Sequence, residues 1–194
     1  MEKRSMTVSF WQTLSRLALL MIPLFFSHPS LAREDTAGTV VRVLPATGGF
    51  AVGELIQVEV RIVNVENLYG ADVQLAFDPA VLKVIDADPN LPGVQVSPSD
   101  ELLSPDWVIK NEADNEAGTV WYAVTQLNPS PAVSGTGALC TFQFSVVGEG
   151  AVTVSIDPQL STRLGEDIPA QGKGAFYTTI EKKFNYLPVI SLNP

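Results

Sequence analysis

The chain has 194 residues, of which 46% are hydrophobic, and it carries 12 Lys and Arg against 21 Asp and Glu. This acidic balance argues against a nucleic-acid partner, because phosphate binding depends on clustered Lys and Arg. The length allows one domain with a sizeable core rather than two, once a leader segment is set aside.

The first 32 residues have the pattern of a secretory signal peptide. Lys3 and Arg4 form a basic start, residues 17–26 are an apolar run, and Ser30 and Ala32 are the small residues that a signal peptidase reads. A retained membrane anchor is the weaker alternative, since about 20 apolar residues are needed to span a bilayer. We therefore predict a signal peptide at 1–32, a polar leader at 33–38, and a protein that is secreted or held at the cell surface.

Removal of this peptide would leave 9 Lys and Arg against 20 Asp and Glu, a formal charge of −11, and no histidine, because His28 is the only one. Ser-His-Asp and Cys-His catalysis and zinc hydrolysis with histidine ligands are then excluded. The acidic chain suits solubility outside the cell, or a partner that is basic or loaded with calcium. Cys140 is the only cysteine, so no intrachain disulfide can form, and its place on the apolar side of 138–146 predicts a buried core position.

Strands are predicted from residue 39 onward at the spacing of an all-β sandwich. Residues 39–44 form the first strand, 47–49 a turn, and 55–65 a long strand with strict alternation. Ile56, Val58, Val60 and Ile62 are expected to share one face of the long strand, and the alternation leaves open whether Asn64 joins them.

The stretch 68–85 is the one around which the other segments are organised. Val73, Leu75 and Phe77 alternate with small or polar residues, which predicts a half-buried strand. Asp78-Pro79 ends this strand, because proline has no N–H to donate and restricts the residue before it. An apolar run at 81–85 then predicts a returning strand.

The segment 86–104 is predicted to be a long loop rich in proline and acidic residues. Calcium is one alternative for the carboxylates here and in the following turn, since Ca²⁺ takes several oxygen ligands from such loops. Ordinary solvated turns are the other alternative, because neither segment matches a calcium-loop consensus. The carboxylates concerned are Asp86, Asp88, Glu112, Asp114 and Glu116.

The remaining strands are predicted at 107–111, 119–127, 138–147, 151–156 and 175–180. Eight or nine strands without a helix predict an all-β fold, an antiparallel β-sandwich of the jelly-roll type, over 39–181. The tail at 182–194 regains apolar character and is too short to span a membrane. It is either a sorting or surface-retention element or a segment that packs along the sandwich or frays.

Four sequence features together resemble the cohesin family. They are Gly53-Glu54 before the long strand, GADVQLAFDPAVLKV at 70–84, Asn111 followed by Gly118-Thr119-Val120, and SGTGALCTFQFSVVGEG at 134–150. The chain is most similar to cohesins outside classical cellulosomes, since it has one module and neither scaffold repeats nor a catalytic neighbour. The resemblance implies a non-catalytic secreted module that docks a dockerin-type protein, in polysaccharide degradation or cell-surface assembly.

The resemblance also implies where the partner binds, on a flat sheet face formed by the strands at 70–77, 107–111 and 119–127. Trp121 beside Asp72 would suit a protein interface, because aromatic residues anchor interfaces within a polar rim. The alternative is that Trp121 only covers the sheet against a loop. The candidate partner-binding residues are Gly70, Asp72, Gln74, Lys110, Trp121, Ala123, Thr125 and Gln126.

Two other functions remain as alternatives. A carbohydrate-binding module would contact polysaccharide directly through exposed, coplanar aromatic rings, for which Trp121 and Trp107 are the candidates, with Tyr122 in the same half of the chain. A glycosidase would need only two carboxylates about 5–10 Å apart. No recognisable pair of this kind is present and the resemblance implies a non-catalytic module, so we predict no catalytic residues. We predict no cofactor, with calcium as the alternative named above.

Overall fold

A computed structural model describes residues 38–180 of the chain. The predicted signal peptide, all but the last residue of the leader, and the tail at 182–194 lie outside this range. The regular secondary structure within these residues consists of strands, and no helix in this range is long and apolar enough to cross a membrane. The strands are β1 (Thr39–Leu44), β2 (Thr47–Ala51), β3 (Leu55–Leu68), β4 (Gly70–Ala76), β5 (Leu82–Ile85), β6 (Ser97–Pro98), β7 (Trp107–Asp114), β8 (Thr119–Thr125), β9 (Val133–Val146), β10 (Gly150–Ser161), β11 (Asp167–Ile168), β12 (Ala170–Lys173) and β13 (Ala175–Ile180).

These strands pair into two sheets that pack as a sandwich. The first sheet has the order β12-β1-β3-β9-β5, with β6 also paired to β9. The second sheet has the order β2-β13-β10-β4-β8-β7, with β11 also paired to β10. Pairing is antiparallel except between β1 and β12 and between β2 and β13. The all-β jelly-roll sandwich predicted from the sequence is therefore confirmed, with two parallel pairings added.

The core lies between the sheets and is built from alternate residues of the longest strands. Val73 and Leu75 of β4 face inward as predicted, and so does Cys140 of β9. Phe77, Phe142 and Phe144 pack edge to face, with ring centroids 4.9 Å and 5.1 Å apart for the two pairs that share Phe144. Each fully buried aliphatic or aromatic side chain stabilises the fold by about 1.5–3 kcal/mol.

The Asp78-Pro79 corner turns the chain from the second sheet to the first. The Asp78 side chain accepts a hydrogen bond from the Ala80 N–H at 2.9 Å, and the Asp78 carbonyl accepts one from Leu82 at 3.0 Å. Gly118 closes the corner from the other side, where its carbonyl accepts from the Phe77 N–H at 2.8 Å. Its φ is +71°, and a Cβ there would lie 2.2 Å from the Phe77 oxygen, so only glycine fits.

Two asparagine side chains connect the second sheet to the edge of the first. The Asn115 amide accepts from the Val84 N–H at 2.7 Å and donates to the Val84 carbonyl at 2.8 Å. Asn111 makes the same pair of bonds to Val96, at 2.8 Å and 2.9 Å. Each amide takes the place of a neighbouring strand for one residue, which satisfies backbone groups that lie at a sheet edge.

The structure differs from the sequence-based prediction in one local detail and settles another. Residues 47–49 are not a turn but the first part of β2, which pairs in parallel with β13. Asn64, which the alternation left open, is exposed, because it has a φ of +56° and lies in an irregularity of the β3–β9 register. The extra residue reverses the alternation, so Val65 is buried in its place. All nine predicted strands are present, and four short ones join them.

Candidate protein-binding face

Seven of the eight candidate residues share one surface, the outer side of strands β7, β8, β4 and β10, which we call the second-sheet face. The register places them in rows across the strands. Asp72 pairs with Ala123, which pairs with Lys110. Gln74 pairs with Trp121, and Gly70 pairs with Thr125. The sequence therefore located the strands and their outward residues correctly for these seven positions, while their role in binding stays a prediction.

Gln126 does not belong to this face. It shares the alternation of Val120, Tyr122 and Val124, all of which point into the core, and it is only 4% exposed. Its backbone N–H donates to the Tyr69 carbonyl at 3.0 Å. The expectation that Gln126 would contact a partner is therefore corrected, because the period of two along a strand places it on the inner side.

Trp121 is held in place by two neighbouring side chains. Its Nε1–H donates to Asp72 Oδ1 at 2.9 Å, although Asp72 lies diagonally across the β4–β8 pair. The Lys110 ammonium lies 5.1 Å from the centroid of the indole ring and also forms an ion pair with Glu112. Because Asp72 and Lys110 flank Ala123 in the register, the indole ring between them covers Ala123. Ala123 is therefore only 5% exposed although its strand position faces outward.

This arrangement fixes an aromatic side chain on the surface before any partner arrives. Trp121 remains 42% exposed despite its contacts. A cation–π contact at such a site contributes about 0.5–1 kcal/mol, and an exposed ion pair contributes about 1 kcal/mol or less. Their effect is to restrict the rotamers of Trp121, which lowers the entropy cost of binding through it.

An irregularity in β7 adds apolar surface next to Trp121. Val108 pairs with Val124 and Lys110 pairs with Ala123, so Ile109 has no partner on β8. Its side chain is 63% exposed. Trp107 is also exposed at the start of the same strand. The alternation of β7 alone did not predict this, because a bulge adds one residue that the sequence pattern does not mark.

The loop that follows β8 is fixed against the start of β7 by one carboxylate. Asp106 accepts from the Leu127 N–H at 3.1 Å and from the hydroxyls of Ser130 and Ser104, both at 2.7 Å. These bonds stabilise the ionised form and lower the pKa of Asp106, with the Leu127 N–H as the largest cause. One end of the second-sheet face is therefore bounded by an ordered loop.

The second-sheet face is acidic. Strand register places the carboxylates Asp72, Asp157, Glu112 and Asp114 outward on the second sheet, with Lys110 as their one cation among residues 38–180. The outer side of the first sheet carries Arg42, Arg61, Lys83 and Lys173, and Arg61 is paired there with Glu59 and Glu101. A partner of the second-sheet face would thus meet a negative surface.

Two of the carboxylates considered as calcium ligands, Asp86 and Asp114, accept backbone hydrogen bonds within turns, and Glu112 pairs with Lys110. Asp86 accepts from the N–H groups of Asp88 and Gln95, at 3.1 Å and 3.0 Å. Asp114 accepts from those of Ala117 and Glu116, and these bonds lower its pKa. Across residues 38–180, no three His, Cys, Asp or Glu side chains are grouped so that they could hold a metal ion.

Cys140 has no access to solvent. It is fully buried in β9, and burial raises the pKa of its thiol. A thiol in this state is not a nucleophile. The prediction that Cys140 is a core residue is confirmed.

Comparisons with known proteins agree with this architecture. The model of one protein family, described as the cohesin domain, matches residues 40–173, which is more than half of the chain. No functionally curated protein matches the sequence.

Similar solved structures include a non-cellulosomal cohesin from the archaeon Archaeoglobus fulgidus, with a TM-score of 0.57 and 16% identity over 75% of this chain and 93% of that one. The seventh ScaB type I cohesin of Pseudobacteroides cellulosolvens has a TM-score of 0.59 and 16% identity, over 77% and 97%. A complex of the OlpA cohesin with Doc918 from Clostridium thermocellum has a TM-score of 0.59 and 12% identity, over 74% and 99%. At these identities the likeness concerns the fold.

Proposed function

The chain belongs to the cohesin domain family, and from this membership we propose that it is an exported, non-catalytic binding module that docks a dockerin-type protein through its second-sheet face. The observation that carries the proposal is the fixed and half-exposed Trp121, held by Asp72 in the middle of that face. Solved relatives described as cohesin–dockerin complexes support the class of partner.

Three features of the face favour a protein partner over a polysaccharide. Tyr122 is fully buried, so only Trp121 and Trp107 remain as outward rings of the three aromatic candidates. The Nε1–H of Trp121 already donates to Asp72, and the Lys110 ammonium already makes a cation–π contact with the ring. A central aromatic anchor surrounded by charged and polar groups is the usual anatomy of a protein interface.

The proposed setting is outside the cell. The predicted signal peptide at 1–32 supports export, and the family supports a role in polysaccharide degradation or in assembly at the cell surface. Residues 38–180 form one sandwich, to which the proposal assigns one docking site.

Calorimetric titration of the protein with each dockerin module encoded by the same organism, in the presence of calcium, tests the proposal. At least one module should bind with 1:1 stoichiometry, and Trp121→Ala and Asp72→Ala should each weaken it by roughly 30-fold, as expected for a central anchor worth about 2 kcal/mol. Phe176→Ala is the matched control, because Phe176 is a 48% exposed ring on β13 of the same sheet, three strands from Trp121.

The proposal fails if no dockerin binds, or if Trp121→Ala and Asp72→Ala bind as tightly as the wild type. Sedimentation with insoluble cellulose, chitin and xylan forms the second arm of the experiment. Retention of the protein on one of these, lost in Trp121→Ala, would replace a dockerin by a polysaccharide as the ligand.

A further inference from the structure

Strand β2 leaves one edge of the second sheet without a neighbouring strand. It is the terminal strand of that sheet, and within residues 38–180 it pairs only with β13. Where β2 begins, the Phe176 N–H donates to the Ala46 carbonyl at 2.9 Å. Where it ends, the Val52 N–H donates to the Ile180 carbonyl at 2.9 Å. Because bonding residues alternate along a parallel strand, the even-numbered residues from 46 to 52 direct their backbone groups to β13.

The odd-numbered residues of β2 direct their backbone groups to the free edge. Those of Ala51 are occupied, since its N–H donates to Glu54 Oε2 and its carbonyl accepts from the Glu54 N–H, both at 3.0 Å. The N–H and carbonyl groups of Thr47 and Gly49 have no partner among residues 38–180. Four backbone groups are therefore open to one further strand.

The segment that follows β13 begins beside this edge. Because β2 and β13 are parallel, Ile180 at the end of β13 pairs with Ala51 at the end of β2. A strand on the free side of β2 would lie two strand spacings from β13, roughly 10 Å, which about four residues span. Residues 181–194 lie outside the described range, and their sequence, EKKFNYLPVISLNP, has an apolar run at 186–190. The segment is thus long enough to reach the edge and to line it.

The charges at this corner of the sandwich complement those of the segment. Glu54 follows β2, and Glu149 lies in the hairpin between β9 and β10, next to the end of β13. Both carboxylates are exposed and form no ion pair within residues 38–180. Lys182 and Lys183 open the segment. Opposite charges at the point of departure favour a path along the sandwich.

A second molecule is a weaker occupant of the same edge. Four backbone groups allow at most about four hydrogen bonds, too few to offset the translational and rotational freedom lost on association. A segment of the same chain is held nearby at an effective concentration of about millimolar or more. The short edge therefore favours the chain itself.

We propose that the segment at 184–190 adds an antiparallel strand to β2 and becomes the terminal strand of the second sheet. The direction is antiparallel because the chain turns back after β13, whereas a parallel strand would need a long crossover. Pro188 has no N–H, so its backbone faces away from β2. The odd-numbered residues of the segment then exchange hydrogen bonds with Thr47 and Gly49.

This phase brings apolar side chains to exposed apolar surface. Directly opposed residues of an antiparallel pair project to the same face, so Leu187 and Val189 share the outer side with Gly49. Phe176 and Ile180 lie on that side of β13 and are 48% and 66% exposed. Because Gly49 has no side chain, the leucine and the valine can contact them across β2. The added strand thus buries apolar area as well as pairing backbone groups.

Amide hydrogen exchange of the ¹⁵N-labelled protein with residues 181–194 present tests the inference. The N–H groups of Thr47 and Gly49 should exchange at least about tenfold more slowly than those of an unstructured peptide. A variant that ends at Glu181 should lose this protection. Gly48 and Phe50, whose N–H groups face β13, are the internal controls and should stay protected in both proteins, which checks that the shorter chain folds.

Two proline variants test the phase of the added strand. Leu187→Pro removes an N–H that donates to β2 and should abolish the protection of Thr47 and Gly49. Tyr186→Pro removes an N–H that points away and should leave the protection in place. Equal effects of the two variants would overturn the assigned phase.

Rapid exchange of Thr47 and Gly49 in the longer protein, or unchanged protection in the variant that ends at Glu181, would overturn the inference itself. Protection that rises with protein concentration would assign the edge to a second copy and would overturn it equally. Because β2 and β7 lie at opposite edges of the second sheet, none of these results bears on the proposed docking face.

Discussion

Replacing Asn115 should destabilise the fold in a way that depends on pH. Its amide forms two hydrogen bonds to the backbone of Val84, at 2.7 Å and 2.8 Å. Each such bond contributes about 0.5–1.5 kcal/mol net, so Asn115→Ala should lower the free energy of unfolding by about 2 kcal/mol. The cost stays near this value because β5 is an edge strand, where water can replace part of the lost bonding.

Asn115→Asp affects the two hydrogen bonds to Val84 differently. A carboxylate can still accept from the Val84 N–H, but its second oxygen faces the Val84 carbonyl, and only the protonated form can donate to that carbonyl. Folding therefore raises the pKa of the introduced carboxyl above its unfolded value of about 3.9. A group with a raised pKa contributes stability below the unfolded pKa and loses it as the pH rises through the folded pKa. The deficit of Asn115→Asp relative to the wild type should thus be largest at pH 7 and shrink towards pH 4.

Urea unfolding followed by circular dichroism at pH 7 and pH 4 measures both effects. Gln171→Ala is the amide control, since Gln171 is exposed on β12 and its side chain has no hydrogen bond within residues 38–180, and it should change stability by less than about 0.5 kcal/mol. The reasoning is refuted if Asn115→Ala costs no more than this control. It is equally refuted if Asn115→Asp is as stable as the wild type at pH 7.

Three further outcomes are expected. Gly118→Ala should lower the free energy of unfolding in urea by more than about 3 kcal/mol, because strain at φ +71° adds to the clash with Phe77. Gly165→Ala is the control, since Gly165 has a φ of +79° in open space, and it should cost only about 1 kcal/mol. Equal losses in the two variants would contradict the clash. Asp106 has a lowered pKa, so its contribution is present above its unfolded pKa of about 3.9 and lost on acidification, and Asp106→Asn should flatten the fall in melting temperature below about pH 4. Cys140 should react with a thiol reagent only after unfolding, and rapid labelling of the native protein would contradict its burial.

Alternation along single strands was sufficient to predict most of the sandwich. Val73, Leu75 and Phe77 and the apolar side of β9 are buried as expected, because a period of two reports burial directly when one face of a strand packs on a core. Alternation does not predict the structure where a bulge adds one residue to a strand, or where a strand pairs with another that is far away in the sequence. Asn64 interrupts β3 through a backbone irregularity, and β2 exists only through its parallel pairing with β13, more than a hundred residues away.

For the candidate face too, some residues could be predicted from the sequence and others could not. Asp72 and Trp121 were expected side by side, and a hydrogen bond joins them. Gln126 could have been rejected from the sequence, since it shares the alternation of the buried valines of β8. The outward position of Ile109 could not have been found, because it depends on a bulge in β7 that is defined only by the pairing with β8. Local sequence does not carry that information.

The side-chain amides of Asn111 and Asn115 have a consequence for the protein at high concentration. They occupy backbone groups of Val96 and Val84 at the margin of the sandwich, and the Ala113 N–H is occupied by the Val94 carbonyl beside them. An unoccupied margin would be a template for strands of other molecules, which leads to domain swapping and aggregation. The two amides, together with the Ala113–Val94 bond, therefore oppose pairing between copies of this module along this side.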